Sequence, residues 1–356
     1  MKKVTCSVCG FEAHFLAPHL LNEHNLTPVT YTKTYGPEAR LVSEAGEELL
    51  AAESDNSLVD YDVKKTFGVD LGKIKTVPGF TKVSARVPKI DPDYVFDKEL
   101  LRVVLKGFVD RNEKVLLTGP TGSGKSTMYM QVAARLNWPL IRINYDNDLT
   151  RSDLIGQWKL IDGKTVFQYG LIPTGMREGC IILQDEWDAM NPGVALAMQP
   201  VMEGGALTIT ETGEVIEPHP YCRLFATANT IGQGDATGLY AGTQVQNFAT
   251  LDRFTMVEVV DYPTKHAETK IVTAKVGIDD ATLLSNLTEV AKLVRDAFKK
   301  GDMVATMSTR TVVNVAKKLV DFGDVKTAYR VGFLNKLNED DRAVVAELVQ
   351  RVWGGV

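Results

Sequence analysis

The sequence predicts an α/β protein: a parallel sheet with helices on both faces, a helical region after it, and a small Cys/His-rich unit before it. Three observations carry this. The runs "KVLLTG", "LIRINY", "CIILQDE" and "CRLFATAN" have the length and composition of strands buried on both faces, with helical stretches between them. Beyond about residue 265 the period becomes helical, and "ATLLSNLTEVAKLVRDAFKKG" places Leu283, Leu287, Val290, Val294 and Phe298 on one face. Cysteine and histidine crowd the start, with Cys6, Cys9, His14, His19 and His24 all in the first 24 residues.

These patterns divide the chain of 356 residues into a Cys/His unit (1–30), a mixed polar segment (31–90), an α/β core (91–265) and a helical lid (266–356). In the second segment a helical patch is expected near 38–53. Pro37, Pro78, Pro88 and Pro92 then argue for an extended connector rather than one continuous helix. The net charge of −5 gives no whole-chain basic character of the kind that draws nucleic acid. The opening "MKKVTCSVCG" has two lysines without an apolar run behind them, which argues against a signal peptide. No run reaches the roughly 18 apolar residues of a membrane helix. The expected location is cytoplasmic, without membrane attachment.

"GPTGSGKST" is the most informative stretch. Gly119, Gly124, Lys125 and Ser126 satisfy G-x-x-x-x-G-K-[ST], between a strand ("KVLL") and a helix ("STMYMQVAARL"). Glycine permits backbone angles that turn successive N–H groups toward one point, and the positive end of the helix adds to that field. Gly119, Pro120, Thr121, Gly122, Ser123, Gly124, Lys125, Ser126 and Thr127 are therefore expected to cradle the phosphates of ATP. Lys125 would reach the β and γ phosphates, and Ser126 would bind Mg²⁺.

A carboxylate at the exit of a neighbouring strand would complete the metal site. "CIILQDEWDAM" supplies Asp185 for Mg²⁺ and Glu186 to polarise the attacking water, the form expected of a hydrolase rather than a kinase. Asn229, at the end of "CRLFATAN", is placed to contact the γ phosphate or the water. "LDRF" offers Arg253, which in a ring ATPase would face the neighbouring subunit's nucleotide. "MSTRTVVNVAKKLV" puts Arg310 in the first turn of a lid helix, in reach of the γ phosphate.

Two hairpins interrupt the α/β alternation. One turns at Asp162-Gly163 in "WKLIDGKTVF", the other at Thr212-Gly213 in "ALTITETGEVIEPHP". Neither is needed for hydrolysis, and both suit a pore or client surface.

At the start, the spacing Cys6-x2-Cys9-x9-His19-x4-His24 provides two ligands from a knuckle and two from a helix face, the set a tetrahedral Zn²⁺ takes. His14 is a rival ligand. The short central spacing and the following "NLTPVTYTKTYG" resemble bacterial Ros/MucR-type fingers.

Together these residues resemble an AAA+ ATPase of the helix-2-insert clade that holds MoxR proteins and metal chelatase ATPases. "FGVD", "KIDPDYVFDKELL", "QVAARLNWPLIRIN", "RSDLIG", "FATANTIGQGDATGLYAGTQ" and "LDRF" are similar to the cobaltochelatase ATPase-subunit (CobS-type) family over about residues 67 to 356. That resemblance implies Walker A at Gly119 to Thr127 and Walker B at Asp185 and Glu186. It implies sensor 1 at Asn229, an arginine finger at Arg253 and sensor 2 at Arg310. It also implies a homo-oligomeric, hexameric ring working with a von Willebrand-type metal-site partner. The finger departs from the family pattern, and an alternative follows: an ATPase brought to DNA through its finger. The finger is only mildly basic, Lys2 and Lys3 being countered by Glu12 and Glu23, which favours protein docking.

Overall fold

The computed structural model describes residues 3–13, 16–24, 28–35, 57–161, 163–234, 240 and 242–354. His14 and the helix expected near 38–53 lie outside the described residues. The chain divides into two compact units, Met1–Val59 with Phe80–Lys82, and Asp60–Gly79 with Val83–Val356.

In the first unit Val4–Thr5 (β1) and Glu12–Ala13 (β2) pair antiparallel, followed by Ala17–His24 (α1) and Pro28–Tyr35 (α2). The turn between the strands closes through Cys6 N–H to Phe11 O (2.7 Å) and Gly10 N–H to Cys6 O (2.8 Å). Cys6, Leu16, Leu20 and Tyr31 form a four-residue buried core. Among the described residues Val4 and Ala13, partly buried, pack against this cluster.

Leu58–Asp62 (β3) and Thr76–Phe80 (β4) pair as a ribbon with Val63–Phe67 (α3) between them. An extended connector was expected here. The strands are too short, and Pro78-Gly79 too disruptive, to show a period of two in the sequence. Tertiary contacts hold the segment instead: Tyr61 with Asn137 (3.0 Å), and the Phe67 ring edge-on to Phe96 (5.1 Å).

The core of the larger unit alternates helix and strand. Lys98–Val109 (α4), Val115–Thr118 (β5), Lys125–Arg135 (α5) and Leu140–Asn144 (β6) come first. Arg151–Ile155 (α6) leads into the first hairpin, Gly156–Ile161 (β7) and Lys164–Tyr169 (β8). Leu171–Glu178 (α7), Ile181–Asp185 (β9), Pro192–Ala197 (α8) and Gln199–Met202 (α9) precede the second hairpin, Leu207–Ile209 (β10) and Glu214–Ile216 (β11). Arg223–Ala228 (β12), Phe248–Leu251 (α10) and Met256–Val259 (β13) complete it.

Five strands make one parallel sheet in the order β13-β5-β12-β9-β6. β5, β9 and β12 are buried along their whole length, which is why they read as unbroken apolar runs. β13 was not expected. It is an edge strand whose residues alternate between half-buried and exposed, so it lacks that run. The order sets the exits of β5, β12 and β9 side by side, and parallel sheets bind ligands at the carboxyl ends of their strands.

The base of the first hairpin and the helices flanking it are tied to the turn end of the second. Tyr169 Oη donates to Glu214 Oε2 (2.6 Å), Arg177 pairs with Glu214 and lies over the Tyr169 ring (4.1 Å), and Arg151 pairs with Glu211. The first hairpin carries Leu160, 75% exposed, close to its turn.

The lid contains Lys265–Val276 (α11), Ala281–Lys300 (α12), Thr309–Phe322 (α13), Val325–Gly332 (α14) and Glu339–Trp353 (α15). Thr264, Asp280, Ser308, Asp324 and Asn338 each accept a backbone N–H as N-caps. Such a cap is worth about 1 kcal/mol. On α12 the buried stripe is Leu284, Leu287, Val290, Ala291 and Val294; Leu283 and Phe298 sit at its half-buried margins. No helix among the described residues is long and apolar enough to cross a membrane.

Candidate nucleotide-binding site and metal centre

The glycine loop leaves the buried end of β5 under geometric constraint. Gly119 has φ 138°, and a Cβ there would lie 2.0 Å from the Val260 carbonyl oxygen. Gly122 has φ 69°, and its missing side chain makes room for Ser308, the N-cap of α13. Gly124, φ 97°, is the N-cap of α5. Lys125 therefore starts the helix and turns its Nζ back over the loop, donating to Gly119 O (2.7 Å), Pro120 O (2.9 Å) and Asn229 Oδ1 (3.3 Å). Burial pulls its pKa down to about 8 against the opposing carboxylates of Asp188, Asp185 and Glu186.

Ser126 Oγ donates to Asp185 Oδ1 at 2.5 Å, so a hydroxyl from the first turn of α5 and a carboxylate oxygen from β9's exit meet at one point. These are the hard oxygen donors Mg²⁺ takes, and the residues fit that ion. Thr227 donates its hydroxyl to the same Asp185 oxygen and accepts the Glu186 N–H (3.2 Å). Arg142 on β6 donates from Nε to Asp185 Oδ2 (2.6 Å).

Glu186 follows in the left-handed region at φ 56°, an uncommon conformation for a residue with a Cβ. Desolvation and the charges of Asp185 and Asp188 push its carboxyl above the usual range. Asp188 is fully buried. Its Oδ2 accepts from Asn229 N (3.0 Å), Thr230 N (2.7 Å) and Thr230 Oγ1 (2.9 Å), fixing the strand exit that carries Asn229.

Arg142 and Asp188 escaped the sequence reading. A cation inside the apolar "LIRIN" and the acid two places beyond "DE" were the available signals.

A cleft of about 710 Å³ runs from the loop to the lid. Gly122, Ser123, Gly124 and Thr127 form its floor, Tyr94 and Phe96 one wall, and His266 and Arg310 the lid side. Arg310 is exposed in the first turn of α13. The structure thus gathers Lys125, Ser126, Asp185, Glu186 and Asn229, with Arg310 at the cleft. Arg253 is not among the cleft residues. It lies just past α10, held by Glu203 Oε1 through Nε (2.9 Å) and Nη2 (2.6 Å).

In the small unit, the ligand atoms of Cys6, Cys9, His19 and His24 all lie within 4.8 Å of one another. His19 Nε2 is 3.1 Å and His24 Nε2 3.2 Å from Cys9 Sγ. Burial raises the Cys6 thiol, but hydrogen bonds from the amides of Val8 and Cys9 outweigh it and leave the thiol below its ordinary pKa. Two thiols and two imidazoles this close fit a tetrahedral metal.

Comparison with known proteins agrees with this geometry. Residues 114–254 match the family AAA domain (dynein-related subfamily), and 268–352 match CbbQ/NirQ/NorQ C-terminal. The chain is 44% identical over 301 residues to aerobic cobaltochelatase subunit CobS of Sinorhizobium sp, covering 82% of this chain and 90% of that one. It is 33% identical over 228 residues to protein NorQ of Paracoccus denitrificans, covering 64% and 80%. Against Midasin of Dictyostelium discoideum it is 35% identical over 173 residues, 48% of this chain but 3% of that very long one. With both family models matched in order along the chain and CobS 44% identical over most of both chains, the chain belongs to the AAA+ ATPases of the CbbQ/NirQ/NorQ MoxR clade that includes CobS.

Proposed function

We propose that this chain is the Mg²⁺-dependent, ring-forming ATPase of a chelatase-type machine, and that it remodels a partner complex. The observation that carries this is the convergence of Lys125, Ser126, Asp185, Glu186 and Asn229 at three adjacent strand exits. ATP supplies the scissile phosphoanhydride, and Mg²⁺ neutralises charge as it breaks. Lys125 and the loop amides would hold the β and γ phosphates. Ser126 and Asp185 would hold the Mg²⁺, with Arg142 and Thr227 fixing the carboxylate's orientation. Glu186, its carboxyl raised above the ordinary range by desolvation and by Asp185 and Asp188, would accept a proton from the water it orients. Asn229 positions that water from a backbone clamped by Asp188.

Arg253 would act on the neighbouring subunit's nucleotide. In support, its guanidinium makes its contacts with Glu203 and the Ala249 carbonyl rather than with the phosphate loop or the strand exits of its own subunit. The ring is expected to be a hexamer. Sizing of the Glu186→Gln protein should show a hexameric mass with ATP; a monomer at every concentration of ATP would exclude the ring.

For the small unit the reading is a zinc finger, with Cys6, Cys9, His19 and His24 as ligands and Zn²⁺ as a cross-link beside the small core formed by the described residues. Metal analysis is expected to find about one zinc per chain, the stoichiometry of a single tetrahedral site. Cys6→Ser should lose it, with melting of this unit; retained zinc would reject the ligand set. Exposed Val8 and Phe11, and Glu12 on the same ribbon, favour a protein rather than DNA as the finger's partner. Since the relative is named a subunit of aerobic cobaltochelatase, a metal-site protein of the von Willebrand type is the partner to test first. Capture on the ATP-held Glu186→Gln form should retain it.

A further inference from the structure

The segment between β13 and α11 carries Tyr262, whose hydroxyl donates to the carbonyl oxygen of Thr121 in the phosphate loop at 2.9 Å. The Arg295 guanidinium, from α12, lies 4.2 Å from the centre of that ring. Arg295 and Glu268 form a buried two-pronged ion pair, Nη1 to Oε2 at 3.0 Å and Nη2 to Oε1 at 2.6 Å. Arg295 Nε also donates to Met307 O (2.8 Å). Glu268 Oε1 accepts in addition from Thr309 Oγ1 (2.8 Å). Thr309 directly precedes Arg310, and Ser308 before it fills the space beside Gly122. The contacts thus form a closed circuit: Thr121, Tyr262, Arg295, Glu268, Thr309, Ser308 and back to Gly122.

A buried ion pair adds little net stability over an apolar pair of the same shape, but losing one partner strands a charge out of water. What such a pair contributes is fixed geometry. Here it clamps α11, α12 and the start of α13 together. Among the described residues its polar hold on the phosphate loop is the Tyr262 hydroxyl.

We propose that Tyr262, Arg295, Glu268 and Thr309 are positioning residues that register the first turn of α13, and with it Arg310, against the phosphate loop. Movement of the Thr121 carbonyl is thereby passed to the lid. This rests on the reading of Arg310 as the lid's contact with the γ phosphate.

The test uses the full chain, with steady-state ATP hydrolysis, ADP affinity by calorimetry and thermal melting. Tyr262→Phe keeps the ring under Arg295 and removes one hydrogen bond; Thr309→Val removes another at the far end. Each is expected to lower kcat about five-fold, the scale of one hydrogen bond, with ADP affinity and melting nearly unchanged. In an Arg310→Ala background the same substitutions should have almost no further effect on kcat. If Arg310→Ala alone leaves kcat intact, the reading of Arg310 falls and the relay with it. If Arg310→Ala lowers kcat but Tyr262→Phe and Thr309→Val do not, or if they cost the same in both backgrounds, the relay is overturned and the reading of Arg310 stands.

Discussion

Glu186→Gln is expected to lower kcat for ATP hydrolysis by about 10²- to 10⁴-fold, the range spanned by a positioned general base. ATP binding should persist, because Lys125, Ser126 and Asp185 are untouched. The physical basis is the carboxylate's setting: desolvation and the charges of Asp185 and Asp188 raise its pKa. The group acts when deprotonated, so kcat/KM should fall on the acid side as pH drops through that raised value, at a higher pH than an ordinary carboxylate would set. The stability sign is opposite. A carboxyl with a raised native pKa favours the folded state at low pH and loses that contribution as pH rises through the native value. The glutamine protein, freed from like-charge repulsion, should therefore melt no lower than the parent at pH 7. Unchanged turnover in the variant would remove Glu186 from the chemistry.

Arg253→Ala is expected to reduce hydrolysis by about 10³-fold or more, the effect of losing an arginine that stabilises a phosphoryl-transfer transition state from a neighbouring subunit. ATP affinity should change little, since Arg253 is held by Glu203 and the Ala249 carbonyl rather than by the phosphate loop. A mixture separates this from a local role. Glu186→Gln and Arg253→Ala subunits are each inactive alone. In a mixed ring, some sites combine an intact Glu186 with an intact Arg253 from the next subunit, and activity should return. Failure of every mixture to recover activity, in rings shown to be mixed, would place Arg253 in its own subunit's structure only.

Much of this site was readable before any fold was known, and the reason differs by residue. The glycine loop is a local device: its three glycines, lysine and serine act through backbone angles and one helix terminus, all within nine consecutive residues. Asp185 and Glu186 were legible because a strand buried on both faces must end where charge begins. The hairpin turns likewise follow from neighbours in the chain. The β3–β4 ribbon was not legible, because what holds it is Tyr61 against Asn137 and Phe67 against Phe96, partners far away in sequence.

What the sequence alone put forward is a set of groups at fixed spacing: a glycine loop suited to phosphate, an acidic pair suited to magnesium and a base, and a Cys/His set suited to zinc. Only the tertiary structure decided how these are tuned. It set β12 between β5 and β9, brought Arg142 onto Asp185 across 43 positions, clamped Asn229 through buried Asp188, and closed the Tyr262–Arg295–Glu268 circuit onto the loop. Pairings of this kind depend on which strands lie adjacent and how far each side chain is removed from water, and a linear pattern encodes neither directly.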